Sequence, residues 1–143
     1  GDIFAATGVR GGSGAGGYAV MPVAAPHSGL LLSVDRVAVT QAEKAALFTS
    51  GGSAVEMEAA AVAAVAGTLN LPFYCVRVVS DTEGEKLPLD FNRYRDEMGR
   101  FSRAGIAMAA AMRPWSIPGL IRFDRDSRHA STMLGDFLAD CRF

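Results

Sequence analysis

Charged side chains follow two consecutive apolar segments in the middle of the sequence. Glu56 and Glu58 lie at the end of the first segment, Ser80 and Asp81 end the second, and Arg77 lies inside the second. Buried charges are costly unless they are compensated, and ligands of open α/β sheets bind at the carboxyl ends of strands. If the two segments are neighbouring parallel strands, about 4.8 Å apart, these carboxylates face one pocket and resemble part of an active site.

Structural explanations stay open for the same charges. Acidic residues at a helix start interact favourably with the helix dipole, which would account for Glu58 without any ligand. Arg77 shares a strand face with Asp81 because side chains alternate along a strand. We expect Arg77 to form an ion pair with Glu56; alternatively, it reaches solvent at a sheet edge.

The segments that carry these charges predict an α/β fold. A short strand at Ala54 and Val55 leads into an alanine-rich helix, expected over residues 57–69 because alanine is the best helix former. The continuous apolar run over residues 73–80 suits a central strand of a parallel sheet, buried on both faces. Strand, helix and strand together predict a right-handed βαβ unit.

Upstream, strands are expected over residues 3–9 and 29–40, the second with a possible break near Asp35. Thr40 followed by Glu43 is a capping box that starts a short helix. Between the two strands, a glycine-rich stretch over residues 10–17 could cradle a phosphate or be a flexible surface loop.

Downstream, helices are expected over residues 91–112 and 126–141, with Pro114 ending the first and a short helix or turn over residues 115–123 between them. The whole chain, residues 1–143, is expected to be a single domain in which residues 113–143 form a C-terminal helical tail.

Composition narrows the classes of function. The 143 residues carry a net charge of -1, so no charge imbalance points to nucleic acid or to an anionic membrane. No apolar run approaches the roughly 20 residues that span a bilayer, so we expect a cytoplasmic protein without stable membrane insertion. Cys75 and Cys141 have neither metal-ligand spacing nor the number that a disulfide framework needs. Arginines gather late in the chain, interleaved with acids, and indicate a solvated helix face.

The paired stretches "AVEMEAAAVAAVA" and "LPFYCVRVVSD" resemble the purine and uridine phosphorylase superfamily, which includes the methylthioadenosine/S-adenosylhomocysteine nucleosidases. "GLLLSVD" and "GDIFAATGV" resemble upstream strands of the same family, so that the resemblance covers roughly residues 1–112. It implies the C-terminal part of a three-layer α/β/α nucleoside phosphorylase-like fold with a mixed sheet. The chain starts at Gly1 without Met, and we expect that the family's N-terminal half is missing from it.

The resemblance also implies roles, because the family enzymes cleave the N-glycosidic bond of nucleosides. Glu58 would hold the ribose hydroxyls, with Glu56 beside it and Met57 as the apolar platform under the sugar. Asp81 would assist departure of a purine base at N7, with Ser80 as an orienting group. Phosphate is a possible co-substrate, and no other cofactor and no metal is expected. The expected partners are a purine nucleoside and further copies of the chain in a homo-oligomer, not nucleic acid.

Several alternatives stay open at this point. The nucleosidases commonly carry an aromatic residue that stacks on adenine where this sequence has Val37, so the identity of the base stays open. These residues also do not distinguish hydrolysis from phosphorolysis. The tail from Arg113 is similar to the hopanoid-associated phosphorylase branch, which releases adenine from adenosylhopane. The interpretation we favour for it is a packing helix that covers sheet or subunit surface. A non-catalytic nucleoside-binding remnant of the fold is the alternative from another class.

Overall fold

The structure, a computed structural model, describes residues 1–11, 16–85, 87–96 and 98–141. Within them, five strands form one mixed sheet: β1 (Ile3–Gly11), β2 (Gly17–Ala19), β3 (His27–Ser33), β4 (Ala54–Glu56) and β5 (Val76–Val78). The sheet order is β2-β1-β3-β4, and β5 pairs with β1. The α/β class with a mixed sheet, which the sequence predicted, is confirmed. Part of the glycine-rich stretch, residues 12–15, lies outside the described residues.

The long strand β1 is the centre of the sheet. It runs parallel to β3 along its length and antiparallel to β2 and β5, while β3 runs parallel to β4. Its apolar side chains are buried; Val9, like Leu31 of β3, is 0% exposed. Phe4, Ala6 and Cys75 belong to the same hydrophobic core.

The prediction of a central strand at residues 73–80 and of a parallel βαβ unit is wrong. β5 covers only Val76–Val78, is half-buried, and pairs with β1 alone among the described strands. Its antiparallel direction relative to β1 also makes it antiparallel to β4. The rest of the apolar run follows the edge of β1 through single bonds, such as Ala6 N to Cys75 O at 2.9 Å. A continuous apolar run indicates that a segment is buried, but it is compatible both with a central parallel strand and with a short antiparallel strand beside β1.

The helix after β3 begins where the capping box predicted. β3 ends at Ser33, near the expected break, and α1 spans Gln41–Thr49. Thr40 Oγ1 accepts from Glu43 N at 3.2 Å, and the Glu43 carboxylate accepts from Thr40 N at 3.0 Å. The backbone N–H groups of Thr40 and Val39 lower the pKa of Glu43 to about 2.

The alanine-rich helix α2 spans Ala59–Thr68, two residues shorter than predicted at its start. The delay follows from Glu56, whose carboxylate accepts the N–H groups of Glu58 and Ala59 and so fixes the chain before the first turn. Ala59 and Ala63 are the buried residues of α2, and the helix packs against β1 and β2. Their small side chains allow this close packing.

The predicted long helix over residues 91–112 is wrong. A 3₁₀ turn at Phe91–Tyr94 is followed by a bend, and only Arg103–Met112 forms a helix, α3. In the bend, Asp96 Oδ1 accepts from Arg100 N at 2.8 Å, and Gly99 takes a φ of 82°. This left-handed conformation favours glycine, and it interrupts the helix.

The last two predicted segments are one helix. After a 3₁₀ turn at Pro114–Ser116, α4 runs over Ile117–Asp140, 24 residues. Pro118 lies in its first turn, where its missing N–H breaks no helical hydrogen bond. α4 contacts β1 and β5. In the part of the chain that the structure describes, no helix is both long and apolar enough to cross a membrane.

Candidate functional site

A charged cluster forms at the corner between β4 and α2. Glu56 closes β4, and its carboxylate accepts the N–H groups of Glu58 and Ala59, both at 2.9 Å. Arg77 Nη2 lies 2.7 Å from Glu56 Oε2, so the expected ion pair is present. The side chain of Glu56 is 13% exposed, and its oxygens are engaged by groups of the protein itself. The ribose contact expected for Glu56 stays a prediction.

Glu58 has a different environment from Glu56. Its side chain is 77% exposed, and its Oε2 lies 3.7 Å from Arg77 Nη2. Arg77 Nε is buried and has no hydrogen-bond partner within the described residues. Met57 is half-buried between the two glutamates. At this corner Glu56 is bonded within the protein, Glu58 is exposed, and the guanidinium of Arg77 lies near both. The exposed carboxylate of Glu58 can bind hydroxyl groups.

A second cluster surrounds Asp81. Ser80 Oγ donates to Asp81 Oδ1 at 2.8 Å, and Lys44 Nζ, from α1, donates to Asp81 Oδ2 at 2.5 Å. Lys44 also donates to the backbone oxygens of Thr82 and Glu85, each at 2.8 Å. The side chains of Lys44 and Asp81 are 11% and 27% exposed. The orienting role that the resemblance implies for Ser80 stays a prediction, and the contact of Lys44 with Asp81 was not predicted from the sequence.

Ser80 and Asp81 open into a cleft of about 580 Å³. Its other walls come from three described residues of the loop after Asp81 (Glu85, Leu87 and Pro88) and from the segment around the start of α4 (Trp115, Ser116, Gly119, Arg122, Phe123 and Asp126). A Cβ on Gly119 would lie 3.0 Å from Pro88 Cβ, so glycine allows α4 to approach the loop closely. The tail expected to be a packing helix therefore forms a wall of the cleft that contains Asp81.

Of the two clusters, the one around Asp81 lines the cleft of about 580 Å³. Glu56, Met57 and Glu58 are not among the described residues that line this cleft. A single cleft shared by Glu58 and Asp81 therefore stays a prediction. The clusters are joined through the chain itself, because Arg77 of the first cluster lies four residues before Asp81 of the second.

Other candidate groups have structural explanations. Burial raises the pKa of the Cys75 thiol, against the opposing charge of Arg77, so Cys75 is a protonated core side chain and not a nucleophile. Asn92 holds the backbone of Val37 through two hydrogen bonds, each of 2.9 Å. Among the described residues, no group of three or more His, Cys, Asp or Glu side chains could hold a metal ion.

Comparison with known proteins agrees with the family that the motifs suggested. The sequence model of the phosphorylase superfamily matches residues 12–112. Two relatives are each 40% identical to this chain over 52 residues. They are the 5'-methylthioadenosine/S-adenosylhomocysteine nucleosidases of Mycobacterium bovis (strain ATCC BAA-935 / AF2122/97) and Mycobacterium tuberculosis (strain CDC 1551 / Oshkosh). Each match covers 36% of this chain and 20% of the relative. No solved structure matches the chain. Since the family match spans both charged clusters, the chain belongs to the phosphorylase superfamily.

Proposed function

We propose that this protein cleaves the N-glycosidic bond of a purine nucleoside, with adenine as the leaving base, by hydrolysis or with phosphate as co-substrate. The observation that carries the proposal is the Asp81 carboxylate in a cleft of about 580 Å³, within the range of roughly 300–1,000 Å³ that small-molecule sites occupy. The family supports the reaction class, and the names of the mycobacterial relatives support an adenine nucleoside.

The base side of the reaction falls to Asp81. As the bond between C1′ and the purine nitrogen breaks, its electron pair moves to the purine, and a proton at N7 neutralises the leaving group. An oxygen of water or phosphate forms the new bond to C1′. We assign the donor of this proton to Asp81, whose two oxygens are held by Ser80 and Lys44, and solvent restores the proton afterwards. General acid catalysis of this kind contributes about 10² to 10⁴ in rate.

The sugar side falls to Glu58 and Met57. Positive charge develops on the sugar ring, and a carboxylate that accepts hydrogen bonds from its hydroxyls both fixes the sugar and favours this charge. Glu58 is exposed enough to do so, whereas the contacts of Glu56 fit it to hold the corner. Arg77 lies beside both glutamates and is placed to keep Glu58 near the sugar.

The test is adenine release from 5'-methylthioadenosine, S-adenosylhomocysteine and adenosine, with and without phosphate. We expect Asp81→Asn to reduce turnover by about 10² or more while nucleoside binding is retained. Glu58→Gln should weaken binding and turnover together. Glu83→Gln, an exposed carboxylate of the same loop, is the matched control and should behave like the parent. Parental turnover in Asp81→Asn would contradict its assignment as the acid.

The same assay separates the alternatives. Release only with phosphate identifies a phosphorylase, and release without it identifies a nucleosidase. Preference for an adenosine with a long apolar 5' substituent would favour the adenosylhopane alternative. Nucleoside binding without any release would favour a non-catalytic nucleoside-binding protein. A cytoplasmic homo-oligomer remains our expectation, and sedimentation velocity tests the oligomer.

A further inference from the structure

Lys44 uses all the hydrogen-bond donors of its ammonium group within the candidate site. An ammonium group has three protons to donate, and Lys44 directs them to Asp81 Oδ2, Thr82 O and Glu85 O at 2.5, 2.8 and 2.8 Å. The side chain is 11% exposed. A buried ammonium is costly without compensation, and Asp81 is the one acceptor of the three that carries a charge. The contact therefore depends on that carboxylate.

The two donors around Asp81 act on different oxygens. Ser80 holds Oδ1 and Lys44 holds Oδ2, so neither rotation of the carboxylate plane nor a change of side-chain rotamer is possible without breaking a hydrogen bond. The two backbone bonds of Lys44 fix the loop on which Asp81 is carried. Catalytic groups need this kind of orientation, because a shift of about 1 Å can cost about 10²-fold in rate.

We propose that Lys44 is a positioning residue for the glycosidic reaction, which orients the Asp81 carboxylate toward the leaving base and ties its loop to α1. This inference rests on the proposed function. Lys44 itself does not touch the substrate. Its effect passes through Asp81, and this distinguishes it from a side chain that only stabilises the loop.

Gln41 supplies a matched control. It lies in the same helix, one turn before Lys44, and its Nε2 donates to Gly84 O at 2.8 Å. It therefore ties the same loop to the same helix without contacting Asp81. Lys44→Met keeps most of the apolar stem of the side chain and removes the charge and all three donors. Gln41→Met removes only the hydrogen bond from Gln41 to the backbone of the loop at Gly84.

We expect Lys44→Met to lower kcat by about 10- to 100-fold, with KM changed by less than about 3-fold, since orientation is lost and nucleoside contacts are retained. Lys44→Arg should recover part of the loss because it keeps the charge. Gln41→Met should stay within about 3-fold of the parent. Equal losses of kcat in Lys44→Met and Gln41→Met would overturn the proposal.

The decisive measurement combines Lys44→Met with Asp81→Asn. A residue that acts through Asp81 adds little once Asp81 is replaced, so the double variant should be within about 3-fold of Asp81→Asn alone. A residue that only stabilises the loop would lower kcat by the same factor in both backgrounds, and that outcome would also overturn the proposal. Gln41→Met should be additive with Asp81→Asn.

A readout without turnover separates this inference from the proposed function. Trp115 is the one tryptophan of the sequence and lines the cleft with Asp81, so its fluorescence reports adenine binding. If the parent binds adenine but cleaves no nucleoside, the proposed catalysis fails. If the parent cleaves a nucleoside and Lys44→Met binds adenine within about 3-fold of the parent but keeps the parental kcat, the positioning role alone is refuted. Adenine binding retained in Lys44→Met together with the expected loss of kcat supports the role, because Lys44 acts on Asp81 and not on nucleoside contacts.

Discussion

The ion pair between Arg77 and Glu56 gives the sharpest stability prediction. Glu56 is 13% exposed and Arg77 is 36% exposed, with 2.7 Å between Nη2 and Oε2. Arg77→Met keeps most of the apolar stem and removes the guanidinium. Glu56 then loses its counter-ion but keeps the N–H groups of Glu58 and Ala59.

The magnitude lies between two limits. Removing one partner of a fully buried pair costs about 3–5 kcal/mol, and exposed pairs contribute about 0.2–1 kcal/mol. The partial exposure of Arg77 and the two remaining bonds of Glu56 put this pair between the limits. The variant also removes the buried Nε that has no partner among the described residues, which offsets part of the loss. We expect Arg77→Met to lower the free energy of unfolding by about 2 kcal/mol.

Urea unfolding, followed by circular dichroism, measures this difference. With a slope of about 1–3 kcal/mol per molar urea for small proteins, the midpoint should fall by about 1 M. The control is Arg128→Met, which removes an ion pair with Asp124 at 2.9 Å whose side chains are 79% and 63% exposed. It should cost less than about 0.5 kcal/mol. If the two variants are equally stable, Arg77 behaves as a solvent-exposed arginine and the reasoning fails.

Three further predictions follow from single groups. The backbone N–H groups of the helix cap lower the pKa of Glu43 from 4.5 to about 2. The contribution of Glu43 to stability is therefore present above pH 4.5 and is lost as the pH falls toward 2. Glu43→Gln should flatten the pH dependence of the free energy of unfolding between these values. Gly99→Ala should destabilise by about 1–2 kcal/mol because of the positive φ, which thermal unfolding measures. Because burial raises the pKa of Cys75, iodoacetamide at neutral pH should alkylate the half-buried Cys141 before Cys75, as peptide mass spectrometry would show.

Elements with local signals could be predicted from the sequence. The capping box of Thr40 and Glu43, the alanine-rich helix and the long strand β1 depend on residues only a few positions apart, and the structure contains all three. The break before α3 also had local signals, namely Gly99 and the N-cap Ser102. They were outweighed by the helix-forming residues around them, which shows how readily one glycine is missed within a helical pattern.

The direction and partner of β5 could not be predicted, because they depend on which edge of β1 is open. An apolar run has the same pattern whether it pairs in a parallel or an antiparallel ladder. Lys44 was missed for a related reason. It lies 37 residues before Asp81, and no periodicity connects two positions so far apart. The need to compensate a charge led to the expected pair of Arg77 with Glu56, and the pair is present although β4 and β5 are not the neighbouring parallel strands that the sequence predicted.

The antiparallel direction of β5 changes the physical reason for placing both acids in one site. Strand spacing cannot bring Asp81 toward Glu58, because β1 and β3 lie between β5 and β4 in the sheet. The connection runs instead along β5, where Arg77 contacts both glutamates and Asp81 follows four residues later. Four extended residues span at most about 14 Å of backbone, so one covalent segment limits how far the Cα atom of Arg77 lies from that of Asp81. Lys44 fixes the far end of this segment and Glu56 fixes its near end. The spacing of the two candidate subsites therefore depends on these two ion pairs.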